Sequence, residues 1–341
     1  MALRYPPETE IDRLAETSRF SGAIRLDLGS QSLSAAYGFA NRAERLPNAS
    51  GTRFGIASGT KFITALAIGA LIDQGRLTPG TPVVDCLAER IDWLSPDATV
   101  GHLLSHTSGV WDYYDEELVT DFDNFHVETP WSFLTTPRDY LPLFHGRTMK
   151  FEPGARFSYS NGGYILLGVV VEDLSGTLFR EFVAENVLAP ACMERSGFFA
   201  LNALPSGTAL GYLGSPGSSG GETTNVYQLP KIGASDGGMF TTVDDVSRLW
   251  SAFVSDAIVS RPTRELMTRR HATIRDGLDY GYGLYLPRSG RGDAYRIVGG
   301  DAGVGFFSQH EPESGLTITV VSNESEGEEE MVGRLRELLG I

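Results

Sequence analysis

The sequence predicts an α+β protein of two lobes, an antiparallel sheet flanked by terminal and central helices and a second lobe that is mostly helical. Strand-like apolar runs lie near both ends of the chain, whereas helical periodicity and long loops fill its middle. The length of 341 residues also exceeds the size at which one hydrophobic core usually keeps growing. We therefore assign residues 1–75 and 235–341 to a discontinuous sheet lobe and residues 76–234 to the helical lobe.

The N-terminal part predicts a helix, a hairpin and a buried helix, in that order. Residues 8–18 have the periodicity of a short amphipathic helix, and residues 22–28 and 32–40 are strand-like runs separated by a glycine turn. The stretch from Phe54 to Gly75 is apolar along most of its length, which is typical of a buried helix that ends at a glycine. The candidate chemistry lies at the start of this helix.

Beyond it, helices alternate with long loops before the pattern returns to strands. Residues 111–150 are rich in aromatic and acidic side chains without a clean period, which predicts pocket-forming loops with a short helix. Residues 202–232 form a Gly-, Ser- and Pro-rich loop. Further helices are predicted over residues 97–109, 162–174, 178–190, 241–254 and 326–339, and strands over residues 280–286, 294–298, 304–310 and 316–322.

Composition excludes several classes of partner. The net charge is −15, whereas nucleic acids and anionic membranes are bound by basic surfaces. Cys86 and Cys192 are too few and too far apart in sequence for a disulfide framework. The first residues lack the apolar core of a signal peptide and no apolar run reaches membrane-spanning length. We therefore expect a cytoplasmic protein that acts on a small-molecule substrate.

A candidate nucleophile and base, Ser58 and Lys61, stand one helical turn apart. If the buried helix begins near Ser58, both side chains share one face of it, close to the positive end of the helix dipole. The dipole and burial favour a neutral lysine amine, which is the form that a base must have. Lys61 is one of only three lysines among 28 Lys and Arg residues, so arginine supplies most of the ordinary positive charge. The alternative is a lysine that reaches out of a core helix to solvent.

A second polar cluster, Tyr159-Ser-Asn161, lies just before the helix predicted at residues 162–174. A tyrosine whose ionised form is favoured by a lysine can relay the proton of a serine. An asparagine amide can accept from the lysine and donate to a substrate carbonyl. The same residues also fit the N-cap and turn before a helix, and the two roles are compatible.

Together these motifs resemble the serine β-lactamase and penicillin-binding-protein superfamily, in the branch of class C β-lactamases, D-aminopeptidases and related esterases. The resemblance runs from about residue 20 to the end of the chain and implies a β-lactamase/transpeptidase-like fold. The stretches that carry it are Phe54–Lys61, Leu103–Gly109, Phe151–Asn161, Gly237–Thr242 and Tyr280–Leu284.

The resemblance also implies the roles of individual residues. Ser58 is the expected nucleophile, Lys61 and Tyr159 share the role of base, and Asn161 positions Lys61 and the substrate. This chemistry needs no cofactor and no metal. Trp111, Tyr113 and Tyr114 are expected either to line the acyl site or to pack in the core.

The family's third motif is the place where this chain departs from the pattern. Relatives carry Lys or His, a small residue and then Gly at the start of an edge strand, which also supplies an oxyanion donor. The resemblance implies donors at the backbone N–H of Ser58 and near Gly303 and Val304. No placement of the motif supplies a cation, because its Lys/His position falls on Gly299, Gly300 or Asp301. Glycines would still let the strand approach a ligand closely, whereas Asp301 would repel an anion.

Two other motifs have ordinary interpretations. Gly217-Ser-Ser-Gly-Gly221 fits a hydrolase pattern, but no strand precedes it and its surroundings are those of a flexible linker. His102 and His106 have the spacing of zinc ligands without the neighbouring glutamate, so we interpret them as buried structural residues.

The sequence therefore predicts a serine hydrolase that acts through an acyl-enzyme on a small, uncharged ester or amide. D-aminopeptidase or weak β-lactamase activity is the near alternative. The other alternative is a binding or regulatory protein that keeps the fold but has little turnover.

Overall fold

An antiparallel sheet of nine strands runs through the part of the chain that the structure describes. This is a computed structural model that describes residues 5–118, 121, 125–214, 217, 222–289 and 292–341. The strands are β1 (Gly22–Leu28), β2 (Gln31–Tyr37), β3 (Phe39–Asn41), β4 (Leu46–Pro47), β5 (Phe54–Gly55), β6 (Phe240–Thr241), β7 (Ala272–Arg275), β8 (Leu278–Tyr280), β9 (Tyr285–Ser289), β10 (Gly292–Asp293), β11 (Tyr295–Asp301), β12 (Val304–Glu311) and β13 (Leu316–Ser322). The order across the sheet is β2-β1-β13-β12-β11-β9-β8-β7, with β10 paired to β9 outside this path; β3–β4 and β5–β6 form two small separate pairs.

Helices surround this sheet. They are α1 (Glu8–Thr17), α2 (Thr60–Asp73), α3 (Val100–Leu104), α4 (Asn161–Ser175), α5 (Phe179–Val183), α6 (Val243–Val254), α7 (Arg261–Met267) and α8 (Glu329–Leu339). Turns of 3-10 helix span Ala57–Gly59, Val83–Asp85, Trp131–Phe133 and Pro137–Phe144, and a π-helical turn spans Ala184–Leu188. Within the described ranges, no single helix is long and apolar enough to cross a bilayer; only α4 and the segment Phe179–Leu188, bent by 82°, reach that length together.

The two ends of the chain meet in the sheet. β1 lies between β2 and β13, with Ala23 opposite Val321 and Ile24 opposite Val320. The predicted fold class, an antiparallel sheet built from both ends of the chain and flanked by helices, is confirmed. The lobe boundaries given above stay a prediction.

Helices cover both faces of the central strands. Every residue of β12 and β13 is buried, as expected for strands that are packed on both sides. On one face α1 and α8 contribute Ile11 and Met331 to a cluster with Phe307. On the other face α6 contributes Trp250, whose Nε1 donates to Ser308 Oγ at 2.8 Å. Alternate residues of β12 therefore contact different helices.

The central helix α2 is buried from Thr60 to Leu71. After it, the chain turns at Gly75, whose φ of 68° lies in the left-handed region that glycine adopts without strain. The predicted buried helix is thus confirmed. Its burial on all sides explains why its sequence shows no polar face.

Several element boundaries differ from the prediction. The helix expected over residues 97–109 is only the short α3, because His106 has a left-handed φ of 57° soon after it. The strand expected over residues 280–286 is divided into β8 and β9 by a turn at Gly283, where φ is 79°. Helix α7 and strand β7 were not predicted, although Ser260 caps α7 and a proline follows at its first turn. The segment Gly217–Gly221 lies outside the described residues except for Gly217.

Candidate active site

Ser58 lies in the 3-10 turn that leads directly into α2. The preceding Ala57 has a φ of 42°, a strained conformation for a residue with a side chain and one that is common at functional sites. Thr60 holds the turn, since its Oγ1 donates to Ala57 O at 2.7 Å and accepts from Met239 N at 3.0 Å. Ser58 is thereby presented where two cavities meet.

The Lys61 amine is 2.9 Å from Ser58 Oγ. It also contacts two carbonyl oxygens, Asn161 Oδ1 and Asp236 O, each at 2.7 Å. A neutral amine donates two N–H bonds and keeps one lone pair. The two carbonyls can take both donors, which leaves the lone pair directed at the serine hydroxyl.

Burial lowers the pKa of Lys61, whose side chain is 2% exposed. Carboxylates oppose this effect and favour the charged form; in order of decreasing effect they belong to Asp236, Glu116, Asp112 and Asp301. Burial thus favours the neutral amine of Lys61, which can act as a base, whereas the carboxylates favour its charged ammonium form.

Tyr159 is hydrogen-bonded to Ser58, and its ring centroid lies 4.9 Å from Lys61 Nζ. Burial raises the pKa of its phenol well above the usual range, and the Glu116 carboxylate adds to the shift. The phenol is thus neutral in the free site. This differs from the expectation that Lys61 favours the ionised form, because desolvation of a phenolate outweighs that attraction here.

Asn161 begins α4 and is fully occupied by protein partners. Its Oδ1 accepts from Lys61, while its Nδ2 donates to Tyr114 O at 2.9 Å and contacts Asp112 Oδ2 at 3.3 Å. The buried Asp112 carboxylate also accepts from the Asn161 N–H at 2.7 Å and the Gly162 N–H at 3.1 Å. Burial raises the pKa of Asp112 to about 7. Asn161 therefore positions Lys61, whereas its amide donors do not point freely at a substrate.

Strand β11 runs directly against the Ser58 turn. A Cβ on Gly299 would lie 2.1 Å from Ile56 O and 2.9 Å from Ser58 N, so only glycine fits at this position. A Cβ on Gly300 would meet nothing within 4 Å. If Gly299 is the glycine of the third motif, the Lys/His position falls two residues earlier on Ile297, which is buried and apolar. The expected position at residues 299–301 stays a prediction, and on either placement the motif position has no cationic side chain.

The structure does not support Gly303 as an oxyanion donor. Its N–H donates to Ser325 Oγ at 2.8 Å, and Val304 is paired with Asp301 in the sheet. In an antiparallel ladder, alternate residues direct their N–H groups away from the partner strand. The pairing of β11 with β12 ends at the pair of Asp301 and Val304. The N–H of the preceding residue, Gly300, therefore points away from β12, toward the opposite edge of β11.

Two cavities open at Ser58. The first, here called the aromatic pocket, is walled by rings and contains the Asp236 carboxylate; its aromatic side chains are Phe54, Tyr113, Tyr114, Phe125, Trp131, Tyr140, Phe199 and Phe240. The second, here called the acidic groove, runs toward α8; its charged side chains are Glu116, Asp121, Asp301, Glu326, Glu328, Glu329 and Arg336. Asp301 lines both cavities, and burial together with the nearby carboxylates raises its pKa to about 7.

The aromatic residues expected at the acyl site divide between pocket and core. Tyr113 lines the aromatic pocket, and its hydroxyl donates to Asp236 Oδ2. Trp111 instead packs edge-on against Phe144, with the Arg147 guanidinium 4.3 Å from its ring centroid. It lines neither cavity, so the assignment of Trp111 to the substrate pocket is wrong.

The histidines have structural contacts. His102 accepts the Thr99 N–H at Nδ1 and caps α3. His106 accepts the Ser160 N–H at Nδ1 and contacts the Tyr280 hydroxyl. Among the residues that the structure describes, no group of three or more His, Cys, Asp or Glu side chains could hold a metal ion.

Three carboxylates near Lys61 were missed from the sequence, those of Asp112, Glu116 and Asp236. Asp236 directly precedes the Gly237–Thr242 motif, so a search for acids next to the motifs could have found it. Asp112 follows the Leu103–Gly109 motif within a few residues, but its contact with Asn161 depends on tertiary packing that no local pattern shows.

The sheet between terminal helices, the buried central helix and the Ser58–Lys61 pair at its start define a β-lactamase/transpeptidase-like protein. The sequence pattern of the Beta-lactamase family matches residues 10–340, and the chain belongs to that family.

Similar proteins are penicillin-binding proteins and hydrolases. The crystal structure of penicillin binding protein from Bacillus halodurans superposes with a TM-score of 0.91 at 40% identity, over 96% of this chain and 99% of that one. Penicillin-binding protein 4* of Bacillus subtilis (strain 168) is 27% identical over 83% of this chain and 63% of its own length. D-aminopeptidase of Gluconobacter oxydans (strain 621H) is 28% identical over 74% of this chain and 45% of its own length. The chain thus spans less than two thirds of the length of these curated relatives.

Proposed function

We propose that the protein is a serine hydrolase that works through an acyl-enzyme on a small ester or amide without a carboxylate near the scissile bond. The observation that carries this proposal is the 2.9 Å contact between Lys61 Nζ and Ser58 Oγ, in a site where burial lowers the pKa of the lysine. A nucleophile and a base within hydrogen-bond reach are the minimum for such chemistry.

The reaction follows from these contacts. Neutral Lys61 takes the Ser58 hydroxyl proton as Oγ attacks the substrate carbonyl carbon. The tetrahedral intermediate collapses, and the leaving alcohol or amine receives a proton from the neutral Tyr159 phenol, which Lys61 then reprotonates. Water attacks the acyl-enzyme with the same groups acting in reverse, and Ser58 is released.

The developing oxyanion needs two backbone donors. The Ser58 N–H lies at the start of the α2 helix, and the Gly300 N–H lies on the free edge of β11 beside it. One such donor contributes about 2.7–4 kcal/mol to the stabilisation of the transition state.

The charge of the site argues against anionic substrates. Asp301 lines both cavities, and the stretch from Ile297 to Asp301 contains no cationic side chain. A ligand carboxylate would lose a charge-assisted hydrogen bond, which is worth about 1.5–3 kcal/mol, and would meet Asp301 as well. Neutral esters and amides have no carboxylate, so the lack of a cation at this position does not weaken their binding.

A second candidate is the amide of an amino acid with a free amine. The carboxylates of Asp236 and Asp301 favour it, because both line the aromatic pocket and accept from neutral donors, the Tyr113 hydroxyl and the Ala302 N–H. Aromatic rings around Asp236 also suit an ammonium group. One similar protein is a D-aminopeptidase, which is consistent with this candidate.

The proposed function is tested by labelling with a fluorophosphonate and intact-mass analysis. We expect one adduct, on the peptide that contains Ser58, and no adduct in Ser58→Ala. An adduct on Ser108, or none on the wild type, contradicts the proposal.

A substrate comparison separates the two candidates. We expect a neutral short-chain p-nitrophenyl ester to be cleaved with a much higher kcat/KM than the cephalosporin nitrocefin. A D-amino acid amide that exceeds its N-acetylated form would favour the second candidate, and this preference should disappear in Asp301→Asn. Nitrocefin hydrolysis equal to that of the ester would contradict the charge argument.

A further inference from the structure

One buried histidine holds the backbone on both sides of Tyr159. The His106 carbonyl oxygen accepts the Ser158 N–H at 2.8 Å, and its Nδ1 accepts the Ser160 N–H at 3.1 Å. Its ring also packs against the Tyr159 ring, with centroids 4.3 Å apart and planes inclined by 33°. A single residue therefore restrains the two peptide N–H groups that flank Tyr159 and one face of its ring.

The bond at Nδ1 requires one protonation state of the His106 ring. Because Nδ1 accepts from Ser160, the ring proton lies on Nε2, which is 3.2 Å from the Tyr280 hydroxyl. Burial lowers the pKa of His106 well below its usual value, and the charge of Lys61 acts in the same direction. The ring is otherwise enclosed by Phe157 and Tyr164. His106 is thus held as a neutral acceptor.

The backbone of His106 is strained. Its φ of 57° lies in the left-handed region, which is unfavourable for most residues with a side chain. Backbone strain of this kind persists only where surrounding contacts hold the residue in place. The contacts that hold His106 are made with the segment that contains Tyr159. Packing alone could be satisfied by an apolar side chain, whereas His106 makes two hydrogen bonds to the neighbouring segment.

From these contacts we infer that His106 is the positioning residue for Tyr159, setting the phenol oxygen relative to Ser58 and Lys61. The inference rests on the catalytic role proposed above for Tyr159. His106 does not itself reach the reacting atoms. It acts by fixing the position of the Tyr159 phenol.

The test compares three variants. His106→Phe keeps a ring but removes the Nδ1 acceptor. His106→Asn places an oxygen at the same number of bonds from the backbone, and asparagine tolerates a left-handed φ. His102→Phe is the matched control, because it removes a similar bond, Thr99 N–H to Nδ1, at the start of α3.

The readout is the second-order rate constant kcat/KM for a neutral alkyl ester, per folded molecule, because its alkoxide leaving group needs the proton that Tyr159 donates. We expect His106→Phe to lower the rate about 10- to 100-fold, the loss typical of a misplaced catalytic group. His106→Asn should recover part of the loss, and His102→Phe should match the wild type. A wild-type rate in His106→Phe would overturn the inference.

A double-variant cycle distinguishes positioning from general damage. In a Tyr159→Phe background, His106→Phe should have little further effect on kcat/KM, since its target is already removed. An equal loss in both backgrounds would overturn the inference.

A crystal structure of His106→Phe tests the inference even if the wild type proves inert to the ester. The Tyr159 phenol should be displaced relative to Ser58; an unchanged phenol position would overturn it.

Discussion

At the scale of single residues, Lys61 combines two properties that arginine cannot combine. It is buried beside Ser58, and burial lowers its pKa. Lys61→Arg keeps a positive charge but cannot act as a base. We therefore expect kcat/KM for a neutral ester to fall nearly as far as in Lys61→Ala. Both variants should be compared at equal concentrations of folded protein, and a Lys61→Arg enzyme with most of its activity would show that the lysine serves only as a fixed charge.

Asp301 gives a prediction for the pH dependence of stability. Burial raises its pKa in the folded protein from 3.8 to about 7. Between these values the unfolded chain loses its proton while the folded chain keeps it, so stability falls as pH rises through this window and then levels off. Asparagine cannot ionise and can still accept the Ala302 N–H bond, which is 2.9 Å long in the wild type.

Urea unfolding should therefore show that Asp301→Asn gains stability over the wild type as pH rises from about 4 to about 7. Asp276→Asn, on an exposed turn, is the control for removing a carboxylate from the surface. A pH-independent difference for Asp301→Asn would mean that the carboxyl titrates normally in the fold.

The residues of the site were predictable to different degrees. Ser58 lies in the 3-10 turn that leads into α2 and Lys61 in the first turn of α2, so their contact follows from spacing alone. Tyr159 and Asn161 required the family resemblance, because nothing local indicates that they meet α2. Asp112 and Asp236 depend on how distant loops pack, and Trp111 was wrongly assigned because an aromatic side chain near a motif suits a pocket or a core equally well.

At the scale of elements, the long buried segments were predictable and the short ones were not. The apolar run of α2 and the β-branched residues of β13 are strong signals. The end of α3 depends on a left-handed His106, which is an improbable conformation for histidine and is enforced by its contacts with Ser158 and Ser160. Tertiary contacts decided these short elements.

Strand β11 leads to a prediction about its glycines. A Cβ on Gly299 would overlap Ile56 O and crowd Ser58 N, whereas a Cβ on Gly300 would have open space. Gly299→Ala should therefore displace the Ser58 turn, slow acylation about 100-fold or more and lower the free energy of unfolding. Gly300→Ala should keep the unfolding free energy of the wild type. Equal stability of the two variants would contradict the close approach of β11 to the turn.

At the scale of the whole molecule, the net charge of the protein and most of the charges that line its candidate site have the same sign. The net charge is −15, and the acidic groove joins the molecular surface to Ser58. A cleft lined by one sign of charge concentrates ligands of the opposite sign and raises their rate of association. The field of the protein and the local carboxylates should therefore both select against anions, but only the long-range part is screened by salt.

This separation can be measured with three p-nitrophenyl esters of similar acyl size, which carry β-alanyl, butyryl and succinyl groups. We expect kcat/KM to decrease from the cationic to the neutral to the anionic ester at low ionic strength. The differences should shrink as salt is raised beyond about 0.1 M, where the Debye length is about 10 Å. The neutral ester is the internal control, since its kcat/KM should hardly change. In Asp301→Asn the salt-dependent part should persist, because one residue contributes little to the total charge. The residual difference at high salt should diminish, because Asp301 lines both cavities at Ser58. If the succinyl ester were cleaved as fast as the butyryl ester at low salt, neither the net charge nor Asp301 would govern substrate choice.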